Sequence, residues 1–546
     1  MFIPPVKEML FLLHDVLGFS HQDLDRETCE AILEEASRLA SEQIAPINLT
    51  GDRQGARLED GRVKTADGFK QAYAAYVEGG WNALPFDPHY GGQGLPWALA
   101  FAVQEMWQGA NMSFGLCPIL NQSAVEAIKV HGSQDQKETY LPKLISGEWT
   151  GTMNITEPQA GSDLGNIATR AVPQDDGTYK ITGQKIYITF GDHDLTQNII
   201  HLVLARMEGS PDGATGISMF IVPKILDDGA QNAVKCIGIE HKLGICASPT
   251  CTMDFDRATG YLIGRKNVGL KYMFTMMQNA RLSVGLQGVG LCERAYQEAD
   301  AYAHERRQGK ASSAQDDKPS MIAQHPDVRR MLMDMHARTM AGRMMAYSAA
   351  LALDQAAQGD KQAAKRADFL TPLVKAWCSD TAVEVASLGI QIHGGMGFMQ
   401  ESAAAQYYRD ARVLPIYEGT NGIQASDFVF RKVARDKASM AKSFIAQMDG
   451  LVEEAYLRDL SKAVEHIIEL SAEDKRDEMA WVATPFLTAF ACIYGAAILS
   501  KAAKVQPDFE GSSRYNIAQL SEFFSTNILP VGWAHLFPIL QGSRRN

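Results

Sequence analysis

One carboxylate in this sequence has the surroundings that general-base chemistry requires. Glu418 lies in the segment LPIYEGTN, residues 414–421, between apolar side chains and a glycine. Apolar surroundings raise the pKa of a carboxyl group by desolvation, and a raised pKa suits a proton acceptor that works near neutral pH. An exposed turn glutamate would have the same local sequence, so both interpretations stay open at this point.

Two other segments contain residue types that bind phosphate or a planar cofactor. In TEPQAGSD, residues 156–163, hydroxyls and a glycine occur on a polar loop whose backbone N–H groups could face a phosphate or a flavin. In QIHGGMGF, residues 391–398, the glycines allow close approach of the backbone to a ligand. Each segment has a structural alternative, a capped turn for the first and a helix stop for the second. His393 has no carboxylate or nucleophile beside it in the sequence, which favours a packed, hydrogen-bonded histidine over a catalytic one.

Composition argues against several other classes of function. The net charge of -12 and the pI near 5.6 disfavour a nucleic-acid partner, because counterion release from phosphates needs clustered Lys and Arg. The sequence has no GxGxxG after a strand pattern and no GxxxxGK followed by Ser or Thr, so it predicts neither a Rossmann site nor a P-loop. Its 8 cysteines are scattered without a CxxC, which indicates no zinc or other metal site and no disulfide framework, and is typical of a reducing compartment.

The elements that must position these segments change in character along the chain. Residues 1–150 have the periodicity of amphipathic helices, one of which begins with a capping box at Ser133 and ends near Gly147. Residues 151–265 have strand patterns, including a predicted turn at Thr182-Gly183. Because no helices intervene, a small antiparallel barrel or sandwich is favoured over a parallel, doubly wound sheet.

Helical periodicity returns after the strand region. Residues 326–358 and 369–389 are long periodic segments in a domain at 266–434, which is predicted to be a four-helix bundle. Residues 435–546 are predicted to form a C-terminal helical extension of a typical domain size. The polar insert 309–320 is expected to be a mobile loop.

One uncharged stretch, residues 479–500, is about as long as a membrane-spanning helix requires. Alanine and threonine dominate it, and Pro485 and Gly495 interrupt it, so a buried helix is favoured over integral membrane insertion. The N-terminal apolar run covers only residues 9–13 and lacks a basic leader, so no signal peptide is predicted and a cytoplasmic location is expected.

Taken together and in this order, the motifs resemble the acyl-CoA dehydrogenase family from about residue 30 to 435. The segments that carry the resemblance are MNITEPQAGSD (153–163), GQKIYIT (183–189), HKLGICASPT (241–250), RLSVGLQGVG (281–290), QIHGGMGF (391–398) and YRDARVLPIYEGTNGIQ (408–424). The resemblance implies an α+β, mostly α fold with a helical N-terminal domain, a central antiparallel β-barrel and a C-terminal four-helix bundle. The extra helical extension would follow that bundle.

The resemblance also implies FAD as the cofactor and an acyl-CoA thioester as the substrate. The residues that it places around the flavin are Met153, Ile155, Thr156, Gly161, Ser162, Tyr187, Ile188, Thr189 and Thr420. Those that it places at the adenine and pyrophosphate, in a flavin of the neighbouring subunit of a homodimer, are Arg306, Gln391, Gly394 and Gly395. Those that it places at the substrate are Ser162, Arg281, Tyr417, Glu418 and Gly419.

Glu418 matches the catalytic base of the family in its commonest position, and the alternative base position, just before Arg281, is occupied by Ala280. The implied reaction is α,β-dehydrogenation to the trans-2-enoyl-CoA. Glu418 would remove the α-proton while the β-hydrogen passes to the flavin as hydride. Electrons would then pass to an electron-transferring flavoprotein.

Some features depart from the commonest members of the family. The usual aromatic residue after Arg306 is absent, and Gly422 replaces a polar residue. The C-terminal extension resembles a larger bacterial subgroup that includes enzymes acting on 3-(methylthio)propanoyl-CoA from dimethylsulfoniopropionate breakdown. Medium-chain and long-chain fatty acyl-CoA substrates of β-oxidation are the main alternatives. An acyl-CoA oxidase and a non-catalytic flavoprotein are further alternatives.

Overall fold

A computed structural model describes residues 2–314, 318–511 and 514–541. Its helices, in chain order, are α1 (Val6–Leu10), α2 (Arg26–Leu39), α3 (Asn48–Gln54), α4 (Phe69–Glu78), α5 (Trp97–Ala110), α6 (Met112–His131), α7 (Gln134–Ser146), α8 (Gly269–Glu305), α9 (Pro326–Ala357), α10 (Lys361–His393), α11 (Ala403–Ala411), α12 (Asn421–Asp427), α13 (Ser439–Gln447), α14 (Glu454–Ala472), α15 (Arg476–Val505), α16 (Ile517–Phe523), α17 (Leu529–Ala534) and α18 (Phe537–Leu540). Its strands are β1 (Arg57–Glu59), β2 (Arg62–Lys64), β3 (Trp149–Asn154), β4 (Arg170–Pro173), β5 (Tyr179–Thr189), β6 (Asn198–Met207), β7 (Ile217–Pro223), β8 (Val234–Ile239) and β9 (Thr250–Leu262).

The chain forms two compact units. The helical unit comprises Met1–Ala40, Pro96–Ala110 and Arg281–Asn546, and the sheet unit comprises Ser41–Leu95 and Asn111–Ala280. The predicted order of a helical region, a central sheet and a second helical region with extra C-terminal helices is confirmed. The limits of the four domains read from the sequence remain predictions.

The core of the sheet unit is a seven-stranded sheet with the strand order β3-β6-β4-β5-β9-β7 and with β8 on β9. β7 pairs with β6 as well as with β9, which closes the path into a barrel. Most pairings are antiparallel, as predicted, but β6 pairs in parallel with β3 and β4. Parallel pairing needs a long connection, and the chain between β3 and β6 supplies one through β4, β5 and the polar loop 156–163.

The turn predicted at Thr182-Gly183 is wrong. β5 continues through both residues as one strand, and the pairing with β9 shifts register there. A β-carbon at Gly183 would lie 2.5 Å from the Thr169 hydroxyl, so glycine permits a close approach of two backbone segments. A glycine in a strand pattern therefore marked a bulge and not a reversal of the chain.

The helical unit is built around the long helices α9 and α10, with α15 packed against both. α10 begins two turns before the predicted residue 369, because Asp360 caps the N–H groups of Gln362 and Ala363 at 2.8 and 3.1 Å. α15 is long and apolar enough to cross a membrane, but 78% of its most apolar window is buried in the fold. That burial agrees with the prediction that residues 479–500 form a buried helix and not a membrane span.

A buried charge network joins four helices of the helical unit. Arg343 on α9 is fully buried and pairs with Glu8, Glu105 and Glu293 at 2.8, 2.7 and 2.7 Å. The Tyr347 hydroxyl donates a hydrogen bond to Glu105 at 2.8 Å. These carboxylates come from α1, α5 and α8, so one guanidinium ties together segments distant in sequence.

The insert 309–320 is closed at its base. The Ser320 N–H donates to the Gly309 carbonyl at 2.8 Å, and the Ala311 N–H donates to the Ser320 hydroxyl at 3.0 Å. Residues 315–317 of the insert lie outside the described residues. The predicted mobility of the insert stays a prediction.

Candidate active site

The carboxylate predicted as a general base lies in a strained loop between α11 and α12. Glu418 has a φ of 55° and the next residue, Gly419, has a φ of 85°. A side-chain-bearing residue in the left-handed region costs on the order of 1–3 kcal/mol, so the surrounding structure must hold it there. The loop ends where the Thr420 hydroxyl accepts a hydrogen bond from the Ile423 N–H at 3.3 Å and caps α12.

Two side chains hold the backbone of the base. The Glu418 carbonyl accepts hydrogen bonds from Arg281 Nε at 3.2 Å and from Gln424 Nε2 at 3.4 Å. A β-carbon at Gly419 would lie 2.9 Å from the same Gln424 nitrogen, so any other residue at position 419 would displace the Gln424 side chain. Arg281 thus contacts the base loop directly, which brings two predicted substrate residues together.

A buried lysine and an asparagine hold the ends of the same loop. Lys375 on α10 has no exposed surface, and its ammonium donates to the Leu414 carbonyl at 2.9 Å and to Asn421 Oδ1 at 2.8 Å. The Asn421 amide nitrogen donates to Ser379 Oγ at 2.9 Å and to Asp380 Oδ1 at 2.8 Å. The loop from 414 to 421 is therefore fastened to α10 at both ends.

Tyr417, predicted at the substrate, directs its hydroxyl to a protein partner. The hydroxyl donates a hydrogen bond to Gln287 Oε1 on α8, and the Gln287 amide nitrogen donates to Gln108 Oε1 at 3.1 Å. Burial raises the pKa of Tyr417, so the phenol stays neutral at physiological pH. This polar chain fixes the residue that precedes the base.

Burial raises the pKa of Glu418 to about 7, and the positive charges of Arg281 and Lys375 oppose that rise. Burial also lowers the pKa of Lys375 to about 7, and Glu418 and Asp380 oppose that fall. The Glu418 side chain is partly exposed, so a ligand can reach it although the surrounding protein limits its hydration. A carboxyl group poised near neutral pH in a rigid loop has the properties of a general base.

The polar loop 156–163 of the sheet unit is built on a buried ion pair. Lys185 donates to Glu157 Oε1 at 2.7 Å and to the Ile155 carbonyl at 3.0 Å, and both side chains of the pair are buried. Glu157 also accepts from the Thr169 N–H and hydroxyl and from the Ala168 N–H. The glutamate of this motif is therefore a scaffold residue that shapes the loop.

The residues predicted at the flavin ring occur on this scaffold with different exposure. Gly161 and Ser162 are exposed, and Met153, Ile155, Thr156 and Thr189 are partly exposed. Tyr187 has a φ of 59° at a bulge of β5, and 60% of its surface is exposed. Ile188 instead packs in the buried core of the sheet, so its side chain does not line the surface.

The residues predicted at the adenine and pyrophosphate all lie in the helical unit. Gln391, Gly394 and Gly395 are exposed around the C-terminus of α10, and a β-carbon at either glycine would meet nothing within 4 Å. His393 stacks on Tyr302 of α8 at 4.4 Å and bonds to the Gly389 carbonyl at 2.7 Å, which confirms the predicted packed histidine. The same end of α8 leads to the exposed Arg306, whose N–H donates to the Tyr302 carbonyl at 2.8 Å.

Family models cover most of the chain. The N-terminal, middle and C-terminal domains of acyl-CoA dehydrogenase match residues 26–148, 152–258 and 267–433. The chain belongs to the acyl-CoA dehydrogenase family. It is thus a flavin-dependent oxidoreductase of acyl-CoA thioesters, with FAD as the cofactor of the family.

Individual relatives agree with this assignment. The chain is 50% identical to 3-methylmercaptopropionyl-CoA dehydrogenase of Ruegeria pomeroyi over 458 residues. The aligned region covers 81% of this chain and 78% of that protein. The chain is 35% identical to the broad-specificity linear acyl-CoA dehydrogenase FadE5 of Mycobacterium tuberculosis, over 82% of this chain and 77% of that one. The structure of an acyl-CoA dehydrogenase complexed with FAD from Bacillus anthracis superposes with a TM-score of 0.75 at 22% identity and covers 97% of this chain and 90% of that one, which shows that the fold extends through the C-terminal helices.

The residues of this acyl-CoA dehydrogenase fit a flavin nucleotide. The glycine pair 394–395 leaves open space for close approach of a phosphate group, and Arg306 is exposed. In the sheet unit, the exposed aromatic ring of Tyr187 and the hydroxyls of Thr156 and Ser162 offer a stacking surface and hydrogen-bond partners for a polar ring system.

Sequence reasoning missed the supporting residues of both loops. Glu157 and Lys185 lie in motifs that carried the family resemblance, but their pairing across 28 residues has no local signal. Lys375 lies in the predicted helical segment 369–389 and Asn421 at the end of the segment 414–421, but their bond across 46 residues has no local signal either. A lysine between the apolar residues 372–374 and 376–378 was an available signal, because a buried ammonium requires partners.

Proposed function

We propose that this acyl-CoA dehydrogenase oxidises the Cα–Cβ bond of 3-(methylthio)propanoyl-CoA with Glu418 as the base. The observation that carries the proposal is the Glu418 loop, which holds a carboxyl group of raised pKa in a chain 50% identical to a 3-methylmercaptopropionyl-CoA dehydrogenase. The product is the corresponding trans-2-enoyl-CoA.

We assign the following roles to the protein groups. Glu418 accepts the α-proton on its carboxylate, and its backbone N–H donates to the thioester carbonyl, where negative charge develops as the proton leaves. Arg281, fixed on the Glu418 carbonyl, keeps that N–H oriented and offers its remaining N–H groups to the CoA portion. Tyr417 and its partner Gln287 limit the entry of water behind the base. Bound FAD supplies the acceptor for the hydride that leaves the β-carbon.

The flavin contacts are part of the same proposal. The proposed residues at the ring system are Met153, Ile155, Thr156, Gly161, Ser162, Tyr187, Thr189 and Thr420, with Ile188 supporting them from the core. The proposed residues at the adenine and pyrophosphate are Arg306, Gln391, Gly394 and Gly395.

A homodimer is proposed because exposed apolar residues adjoin the pyrophosphate residues. Met396 is 57% and Phe398 is 84% exposed, immediately after the glycine pair 394–395. A second copy of the chain would cover these side chains while its flavin contacts the glycines. An electron-transferring flavoprotein in the cytoplasm is the proposed electron acceptor.

A second candidate is a straight-chain acyl-CoA, which the 35% identity to a broad-specificity linear acyl-CoA dehydrogenase favours. Anaerobic titration of the holoenzyme with 3-(methylthio)propanoyl-CoA and with straight chains of several lengths separates the two. The thioether substrate should bleach the flavin band with the largest second-order rate constant. A larger constant for a straight chain would transfer the assignment to that substrate.

The role of the base is tested with Glu418→Gln, which keeps the shape of the side chain. We expect normal flavin content and flavin reduction slowed by about 10²–10⁴-fold, the usual contribution of general-base catalysis. Unchanged reduction by the variant would remove Glu418 from the mechanism. Rapid reoxidation of the reduced flavin by oxygen, with release of peroxide, would indicate an oxidase instead.

A further inference from the structure

A lysine ammonium buried in a helical core is costly unless hydrogen bonds and charges compensate it. Lys375 has no exposed surface, and its ammonium donates hydrogen bonds to the Leu414 carbonyl and to the Asn421 side chain. These two acceptors stand at the first and last positions of the loop that carries Glu418. Both acceptors belong to the base loop, so contacts with that loop offset the cost of burying the ammonium.

We propose that Lys375 is a positioning residue for the base, which holds both ends of the loop 414–421 and adds positive charge near the loop that carries Glu418. The inference rests on the proposed role of Glu418 and assigns the control of its position and ionisation to one side chain on α10.

Asn421 is the second component of this arrangement. Its carbonyl oxygen accepts from Lys375 at 2.8 Å, and its amide nitrogen donates to Asp380 at 2.8 Å and to Ser379 at 2.9 Å. The nearby Asp380 carboxylate is thereby engaged by a neutral amide. Asn421 therefore transmits the position of Lys375 to the start of α12, directly after the base loop.

The charges around the base come from several elements, so the contribution of Lys375 has to be separated from theirs. Glu418, Lys375 and Arg281 act on one another. The other charges that act on Lys375 or Arg281 are Asp380 on α10, Asp427 on α12 and Arg431 just beyond α12. Arg281 and Lys375 both favour the ionised carboxylate, so removing either should raise the pKa of Glu418.

The test measures flavin reduction by the best acyl-CoA from pH 5.5 to 9, a range of roughly two units around the pKa near 7. Lys375→Met should raise the apparent pKa of the reduction rate by about one unit. It should also lower the limiting rate at high pH by about 10–100-fold, because a misplaced base reacts slowly. Lys375→Arg, which keeps a charge, should leave the apparent pKa near the wild-type value.

Two further variants isolate the effect. Asn421→Ala keeps the ammonium and should lower the limiting rate by about tenfold without moving the apparent pKa. Lys365→Met on the exposed surface of the same helix is the matched control and should behave as wild type. Flavin content and the thermal midpoint are recorded for every variant.

The outcomes separate this inference from the proposed function. Wild-type rate and pH profile in Lys375→Met, with Glu418→Gln inactive, would overturn the inference and leave the base assignment intact. Loss of reduction by every acyl-CoA in the wild type would refute the proposed function itself. If Lys375→Met does not fold, a wild-type rate in Asn421→Ala would overturn the inference, and a reduced rate with an unmoved pKa would support it.

Discussion

The raised pKa of Glu418 predicts a specific pH dependence for catalysis. In the free enzyme, burial raises that pKa from 4.5 to about 7. Because only the carboxylate accepts the α-proton, the second-order rate constant of flavin reduction should rise as pH increases through 7. About one molecule in ten would be ionised one unit below the pKa and about nine in ten one unit above it.

The same shift has a free-energy equivalent that stability measurements can detect. Raising the pKa from 4.5 to about 7 corresponds to ~3 kcal/mol between the two protonation states. A carboxyl group with a raised folded-state pKa favours folding when protonated. Its contribution is complete below the unfolded-state pKa near 4.5, declines as pH rises, and is gone above about 7.

Glu418→Gln provides the reference for both effects, because the amide does not ionise. The thermal midpoint of the variant should rise relative to wild type between pH 4.5 and 7, and the difference should then stay constant. Stopped-flow reduction at low substrate concentration reports the pKa of the free enzyme. An apparent pKa near 4.5, together with a stability difference that does not change with pH, would refute the argument that burial tunes this base.

Three further predictions concern the framework around the site. Arg343→Met leaves three buried carboxylates without their common partner, so we expect a loss of about 3–5 kcal/mol in the free energy of unfolding by chemical denaturation; a loss below 1 kcal/mol would contradict the network's structural role. Glu157→Gln should lower flavin content and the thermal midpoint, because it leaves the buried Lys185 charge without its carboxylate partner. Adding Lys185→Met to this variant should recover part of the lost thermal midpoint, and no recovery would argue against a stabilising ion pair. Gly419→Ala should slow flavin reduction about tenfold or more and lower the free energy of unfolding by about 1–2 kcal/mol. Gly450→Ala is the control, because Gly450 has a φ of 68° and nothing lies within 4 Å of a β-carbon there, so only the backbone strain should lower its stability. Equal rates of flavin reduction in the two variants would refute the role of the close contact at Gly419.

The helical part of the fold was predictable because its signals are local. The capping box of Ser133 and Gln136 and the stop at Gly147 are present as predicted at the ends of α7. The burial of α15 also followed from composition, since alanine and threonine outnumber leucine, isoleucine and valine in its uncharged stretch, residues 479–500. Each inference needed only residues within one element.

The sheet and the site depended on distant partners and were less predictable. Gly183 was interpreted as a turn because the nearby Thr169 backbone, which requires a glycine there, is invisible in the local sequence. Motif resemblance located Glu418, but neither its left-handed backbone nor its anchors on Arg281 and Lys375 has a local signature. Long-range packing therefore decided the conformations that matter most for chemistry.

The base loop combines two unfavourable features that require each other's support. A left-handed glutamate costs on the order of 1–3 kcal/mol, and burial of the Glu418 carboxyl group disfavours its ionised form and raises its pKa. Hydrogen bonds to charged groups contribute about 1.5–3 kcal/mol each, and Arg281 and Lys375 each supply such bonds to loop carbonyls. The two cations therefore offset the strain through their bonds while limiting the rise of the pKa through their charge. A neutral side chain could replace the hydrogen bonds but not the charge. A neutral substitution at Arg281 or Lys375 should therefore alter the pH profile of flavin reduction even when the protein folds normally.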